Sequence, residues 1–151
     1  MKIIKDHNPQ YVLRIDKGED VLEQIKNFCT EKKIGAAFFY GIGASDNCLL
    51  SCYEIEKGVY HDQELKGHRE IVNLIGNVTK KDGEVMIHAH AGVADQNLQV
   101  TGGHVKKMQV SWTCEVFLQI FPGEIKKITP PGKEASLMEL KKNAIFAKKA
   151  L

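Results

Sequence analysis

From Glu84 to Val93 the sequence EVMIHAHAGV alternates without a break: Val85, Ile87, Ala89, Ala91 and Val93 fall in one phase, Met86, His88, His90 and Gly92 in the other. A period of two marks an extended strand with one face toward a core. The same period recurs in YVLRID, with Tyr11, Leu13 and Ile15 in phase. It recurs again in WTCEVFLQIF, with Trp112, Cys114, Val116, Leu118 and Ile120 aligned, and in HREIVNLIGNV, where Val72, Leu74, Gly76 and Val78 share a face. AAFFYGIGASDNCLLSCYE reads as two strands around a Gly-Ala-Ser-Asp-Asn turn, IEKGVYHDQELKG as a polar connection and KKDG as a tight turn.

Helical spacing is confined to two places. In GEDVLEQIKNFCTEKKIG the residues Val21, Leu22, Ile25, Phe28 and Cys29 line one face, acids lead the first turn, Lys32 and Lys33 close the last, and Gly35 is the expected stop. From Ser136 to Leu151 the series Leu137, Leu140, Ala144, Ala147, Leu151 predicts an amphipathic C-terminal helix, after a proline-glycine loop over residues 122–135. Strands and helices do not alternate as a parallel sheet requires. The expected class is therefore α+β, a mostly antiparallel sheet with one early helix and one C-terminal helix. The 151 residues suit a single domain, 1–151, with its core over about 10–121.

Composition excludes several functions. No stretch approaches the ~18 uncharged apolar residues of a membrane span, and MKIIKDHNPQ lacks the apolar block of a signal peptide, so a cytoplasmic location is expected. Cys29, Cys48, Cys52 and Cys114 form no C-x-x-C pair, and three of them lie in apolar runs, so they are expected as reduced thiols. With 21 basic and 19 acidic residues the net charge is only +2, too small for a whole-molecule field that draws the chain onto nucleic acid. The lysine doublets 32–33, 80–81, 106–107, 126–127, 141–142 and 148–149 sit mostly at expected element ends, where they aid solubility.

Three of the six histidines fall within HAHAGVADQNLQVTGGHV, residues 88–105. If Asp95, Gln96 and Asn97 form the turn of a hairpin, His88 faces His104, His90 faces Gly102, and all three imidazoles leave one face. Opposed Cβ atoms lie ~4.5 to 5.5 Å apart, within reach of three nitrogens converging on one ion. Surface or packing histidines are the alternative, and the Gly-Gly pair could introduce a bulge that turns His104 away. His7, His61 and His68 lie at the terminus or near expected loops.

The segments YGIGA (40–44), GHREIVNLIGNV (67–78), HAHAGVAD (88–95) and VTGGHV (100–105), in this order, resemble the PPC domain, the plants-and-prokaryotes conserved domain that plants attach to AT-hooks. The similarity spans about Gln10 to Phe121. It implies an antiparallel-sheet fold, a homotrimer and, as in many prokaryotic members, a divalent metal, usually zinc, on the histidines matching His88, His90 and His104. Plant members generally lack these histidines, so the chain is similar to the stand-alone prokaryotic branch. Arg69 departs from the plant pattern, which carries an aromatic residue there.

Three functions remain open on the sequence. The first is a DNA-binding or regulatory trimer, although the chain has no Arg-Gly-Arg-Pro core to enter a minor groove. The second is a zinc-dependent enzyme with a metal-bound water, for which Glu70 and Glu115 are the candidate bases or histidine-orienting carboxylates. The third is a trimeric scaffold that takes a protein partner or a small anion at its subunit clefts.

Overall fold

Long antiparallel strands dominate the computed structural model, which describes residues 1–139. The order is β1 (Lys2–His7), β2 (Gln10–Asp16), α1 (Val21–Glu31), β3 (Ala37–Glu54), β4 (Val59–Lys81), β5 (Glu84–Ala94), β6 (Val100–Ile120), β7 (Lys127–Ile128) and β8 (Leu137–Met138). The first six form one sheet in the order β1-β2-β6-β3-β4-β5, and β5 pairs again with β6, so β6, β3, β4 and β5 close on themselves. Each of these ladders is antiparallel.

The helix forms where the spacing predicts it. Asp20 is its N-cap and accepts from the Glu23 backbone N–H at 3.0 Å. Its second carboxylate oxygen accepts from the Met108 N–H at 2.9 Å, so one side chain caps the helix and fastens it to β6. Val21, Ile25, Phe28 and Cys29 are buried against β5 and β6, and Val21, Ile25 and Phe28 each contribute about 1.5–3 kcal/mol. The left-handed residue after the helix is Lys33 (φ 55°), not Gly35. Gly35 is small for another reason: a Cβ there would lie 2.7 Å from the Cβ of Glu124.

Several expectations are corrected. The stretch expected as two strands is one, Ala37–Glu54, because its glycines and serine sit at bulges: pairing with β4 slips at Gly41/Gly43 and at Ser45/Asn47. Residues 59–67, expected as a connection, extend β4 to 23 residues by pairing with Cys48 to Glu54 of β3. A slip between Ile71 and Asn73 turns Ile71 and Leu74 inward and leaves Val72 48% exposed, so Val72 does not share the core face. In β6, four steps from Val110 to Cys114 span only two steps of β3, from Ser45 to Gly43. Trp112 rides on that bulge, 78% exposed, out of line with the buried Cys114, Val116 and Leu118. The loop 122–135 contains β7, and Leu137–Met138 pairs with it as a strand where the C-terminal helix was expected to begin. The rest of that expected helix, residues 140–151, lies outside the described residues.

Candidate metal centre

Two turns determine where the histidines fall. Between β4 and β5, Asp82 (φ 51°) and Gly83 (φ 84°) give the paired left-handed residues of a tight hairpin. Between β5 and β6 the turn is longer than three residues. Leu98 adopts φ 62°, and Asp95 Oδ1 accepts from the N–H groups of Asn97 at 2.8 Å and Gln99 at 3.0 Å. Ala94 therefore pairs with Val100, and the ladder runs two residues out of the expected register: His90 faces His104, and Gly102 faces Gly92. His88 lies beyond this ladder and pairs with Asn77 of β4. A two-residue shift preserves the side-chain phase, so all three imidazoles still leave one face.

They converge. Ring centroids are 5.2 Å apart for His88 and His90, 5.2 Å for His88 and His104, and 5.5 Å for His90 and His104. One nitrogen from each lies within 4.8 Å of the others, and this is the group of three among the described residues that could hold a metal ion. A tetrahedral ion with bonds of ~2.0–2.1 Å needs these nitrogens about 3.4 Å apart. The glycines before His104 do not twist it away. A Cβ on Gly103 would stand 2.8 Å from the Ser51 carbonyl and one on Gly102 3.0 Å from that of Ala91, so both permit β6 to lie close between β3 and β5.

The surroundings favour neutral, ligating imidazoles. Burial pushes the His88 pKa down to about 4, helped by the nearby charges of Lys127, His104 and His90. His104 is lowered by burial first and then by His90, Lys106 and Lys127, with Asp62 opposing. Bound here, a divalent ion would supply Lewis acidity at an open coordination position.

The groups packed around the histidines were not legible in the sequence. Ser51 of β3 pairs directly with His104. Its hydroxyl donates to Asp62 at 2.7 Å, and Lys106 donates to the same carboxylate at 2.7 Å. These two donors, Lys106 before Ser51, hold the Asp62 carboxyl below its ordinary pKa. Lys106 also stands 4.8 Å over the Tyr60 ring, which lies 5.8 Å from the His104 ring. Tyr60 and Asp62 lie in the stretch expected as a connection, and Lys106 in a doublet read as solubilising. Lys127, from another such doublet, is 6% exposed, and burial lowers its pKa.

The expected carboxylates are elsewhere. Glu70 pairs with the exposed His68 at 3.1 Å. Glu115 is eleven residues along the bulged β6 from His104, where the strand pairs with Ile42 rather than Ser51 of β3, among Arg14, Asp16 and Trp112. His61 pairs with Glu54 at 2.7 Å, and His7 ends β1, exposed. Cys29, Cys48 and Cys114 are buried free thiols and Cys52 is an exposed one.

Beside His88 and His90 a pocket of about 350 Å³ is lined by Phe38, Ile75, Gly76 and Asn77. The Asn77 Oδ1 is buried and has no hydrogen-bond partner among the described residues.

A closed antiparallel sheet with three imidazoles gathered on its outer face defines a β protein with a candidate metal centre. Its family is then given by sequence: the chain belongs to the Plants and Prokaryotes Conserved (PCC, also PPC) domain family, whose model matches residues 5–122. It is similar to the PPC protein of Pyrococcus horikoshii, with 34% identity, TM-score 0.80 and coverage of 93% of this chain and 95% of that one. It is also similar to a metal-containing protein of Archaeoglobus fulgidus, with 32% identity, TM-score 0.82 and coverage of 93% and 100%. A candidate DNA-binding protein of Ralstonia eutropha matches with 25% identity, TM-score 0.84 and coverage of 93% and 96%. No protein of curated function matches the chain. Among the described residues no helix is long and apolar enough to cross a membrane.

Proposed function

We propose that this chain is a regulatory protein of the PPC family that assembles as a homotrimer, holds one divalent transition metal, zinc first, on His88, His90 and His104, and associates weakly with DNA. The observation that carries this reading is the convergence of three imidazoles, two of them kept neutral by burial, from two strands and a register that place them on one face. Three nitrogens without thiolate suit Zn, Ni, Cu or Fe, and abundance favours zinc. The metal-containing archaeal relative supports the same reading.

The trimer is supported by an apolar row across the sheet. Ile75, Tyr40 and Phe117 are cross-strand neighbours, 46%, 52% and 41% exposed, and Tyr40 stacks on Phe117 at 5.2 Å. With Phe38 and Ile42 beside them, they form the kind of contiguous apolar patch that monomers seldom leave in water. DNA contact rests on the bacterial relative's description, and the charge of +2 per chain makes it weak, salt-sensitive and indifferent to sequence.

A pocket at the cluster favours a ligand-responsive or catalytic centre over a closed scaffolding site. The catalytic version lacks a free base among the described residues: Asp62, the carboxylate that acts on His104, is already held by Lys106 and Ser51. The test is metal analysis of protein purified without a nickel column, with light scattering and a DNA shift assay at rising salt. One metal per chain, a trimer mass and a shift that salt abolishes are expected. Metal content equal to that of a chelator-stripped control overturns the metal reading, and a monomer at micromolar concentration overturns the trimer. A salt-resistant, sequence-selective shift overturns the DNA reading.

A further inference from the structure

Glu115, which the histidine cluster leaves aside, belongs to a cavity of its own. Arg14 of β2 pairs with Glu115 of β6, and Asp16 pairs with Thr113, so four polar side chains leave one face as a block. Opposed Cβ atoms lie ~4.5–5.5 Å apart and successive ones on a face ~7 Å, the footprint of about one sugar ring. With Lys17 and Trp112 these residues line a cavity of about 510 Å³, inside the range of small-molecule sites.

Trp112 reaches this cavity because β6 bulges. Ser111, Trp112 and Thr113 have no partner in β3 between Val110 and Cys114. Gly43 makes room for them: a Cβ there would stand 2.2 Å from the Thr113 carbonyl oxygen. Bulges of this kind re-aim a side chain beside a site. The chain's single tryptophan is thereby 78% exposed in the lining of the cavity. The hydroxyls on either side of it, Ser111 Oγ and Thr113 Oγ1, are shut off from bulk water and have no hydrogen-bond partner among the described residues. Thr113 lines the cavity, so a ligand there is a source of the missing partner.

The lining also selects the ligand. Two cations and two carboxylates leave it without net charge, which favours neither an anion nor a cation. Arg14 and Lys17 only donate, Asp16 and Glu115 only accept, and a group that does both satisfies either kind. A hydroxyl is such a group. The indole face takes a flat apolar surface. A pyranose with equatorial hydroxyls offers axial C–H bonds on its faces and hydroxyls around its edge. A nucleotide would stack on the indole too, but its phosphate would meet the carboxylates of Asp16 and Glu115.

We propose that this cavity binds a neutral pyranose, its C–H face on Trp112 and its hydroxyls shared among Arg14, Asp16, Glu115 and Thr113 Oγ1. The site is separate from the histidine cluster and does not depend on the metal.

Trp112 is the chain's single tryptophan, so its emission reads the site directly. Full-length protein titrated with methyl β-D-glucopyranoside should show a saturable change with half-saturation below about 20 mM. Mannitol, which carries hydroxyls without a ring face, should bind at least about tenfold more weakly. In saturation-transfer NMR, Trp112→Ala and Glu115→Ala should each lose about tenfold in affinity for the glycoside. No saturable change up to about 100 mM overturns the proposal. An equal response to mannitol, wild-type affinity in both variants, or tighter binding of a guanine mononucleotide than of the glycoside overturns it as well. If the variants do not fold, the comparison of glycoside with mannitol in the wild type decides the matter.

Discussion

Metal-free protein should lose stability in acid through His88, and the size of that loss follows from its surroundings. Its pKa falls from 6.5 to about 4 on folding, so between these values the unfolded chain binds a proton that the folded chain refuses. The sign is therefore fixed: the contribution is fully present above 6.5, shrinks as pH drops below it, and is gone once pH passes below about 4. At 1.36 kcal/mol per unit the ceiling is about 3.4 kcal/mol, of which about 2.6 would be realised at about pH 4.5. His88 is only partly buried, and solvent screening takes roughly half, leaving about 1.3 kcal/mol. Urea unfolding of chelator-stripped wild type and His88→Gln at about pH 7.5 and about pH 4.5 reads this directly: the wild type should lose about 1.3 kcal/mol more than the variant across the interval. Equal losses would show that His88 is as well solvated folded as unfolded, and the argument for a neutral imidazole would fail with it.

Three further outcomes are expected. His104→Ala should remove bound zinc while the stripped protein unfolds near the wild-type midpoint, so that zinc at a hundred times its Kd stabilises the wild type by about 2.7 kcal/mol and the variant negligibly; equal zinc contents refute this. Gly76→Ala should cost about 1–3 kcal/mol in urea unfolding, because the new Cβ would lie 2.6 Å from the His88 carbonyl and crowd the fully buried Phe39 ring. Tyr40→Glu, in the centre of the exposed apolar row, should lower the light-scattering mass threefold without unfolding the chain, and an unchanged trimer mass would place the interface elsewhere.

What the sequence disclosed follows from which signals are local. The helix was legible because Val21, Ile25, Phe28 and Cys29 repeat at its period and Asp20 caps it. β5 was legible because Val85, Ala89, Ala91 and Val93 alternate into the core. The first half of β4 was not: from Val59 to Lys66 Leu65 is the one buried residue, so alternation has little to report, and the strand exists because β3 pairs with it. The bulges at Gly41/Gly43, Ser45/Asn47 and Ile71/Asn73 are also non-local, since each answers to a partner strand. The turn before β6 was misread because nothing marks Leu98 as left-handed. The histidine face nonetheless came through, for an error of two residues moves a side chain along a strand without changing its side. Lys127 gave no signal at all, because its burial is produced by the fold around a loop that looks solvent-bound.

The site sits where it does because of β6. At His104 this strand is paired with Ser51 of β3 on one edge and His90 of β5 on the other; further along, at Phe117, its neighbours are Tyr40 of β3 and Val12 of β2. Closure by β5 brings the third histidine to the other two, and the exchange of β5 for β2 opens the sheet into the apolar row of the proposed interface. Phe38 lies between them: it walls the pocket at His88 and His90 and also lines a second pocket, of about 310 Å³, with Tyr40 and Phe117. A molecule held in the pocket beside His88 and His90 would therefore touch a side chain that the proposed trimer would bury. If such a ligand changes the association constant of the subunits, association changes its affinity by the same factor.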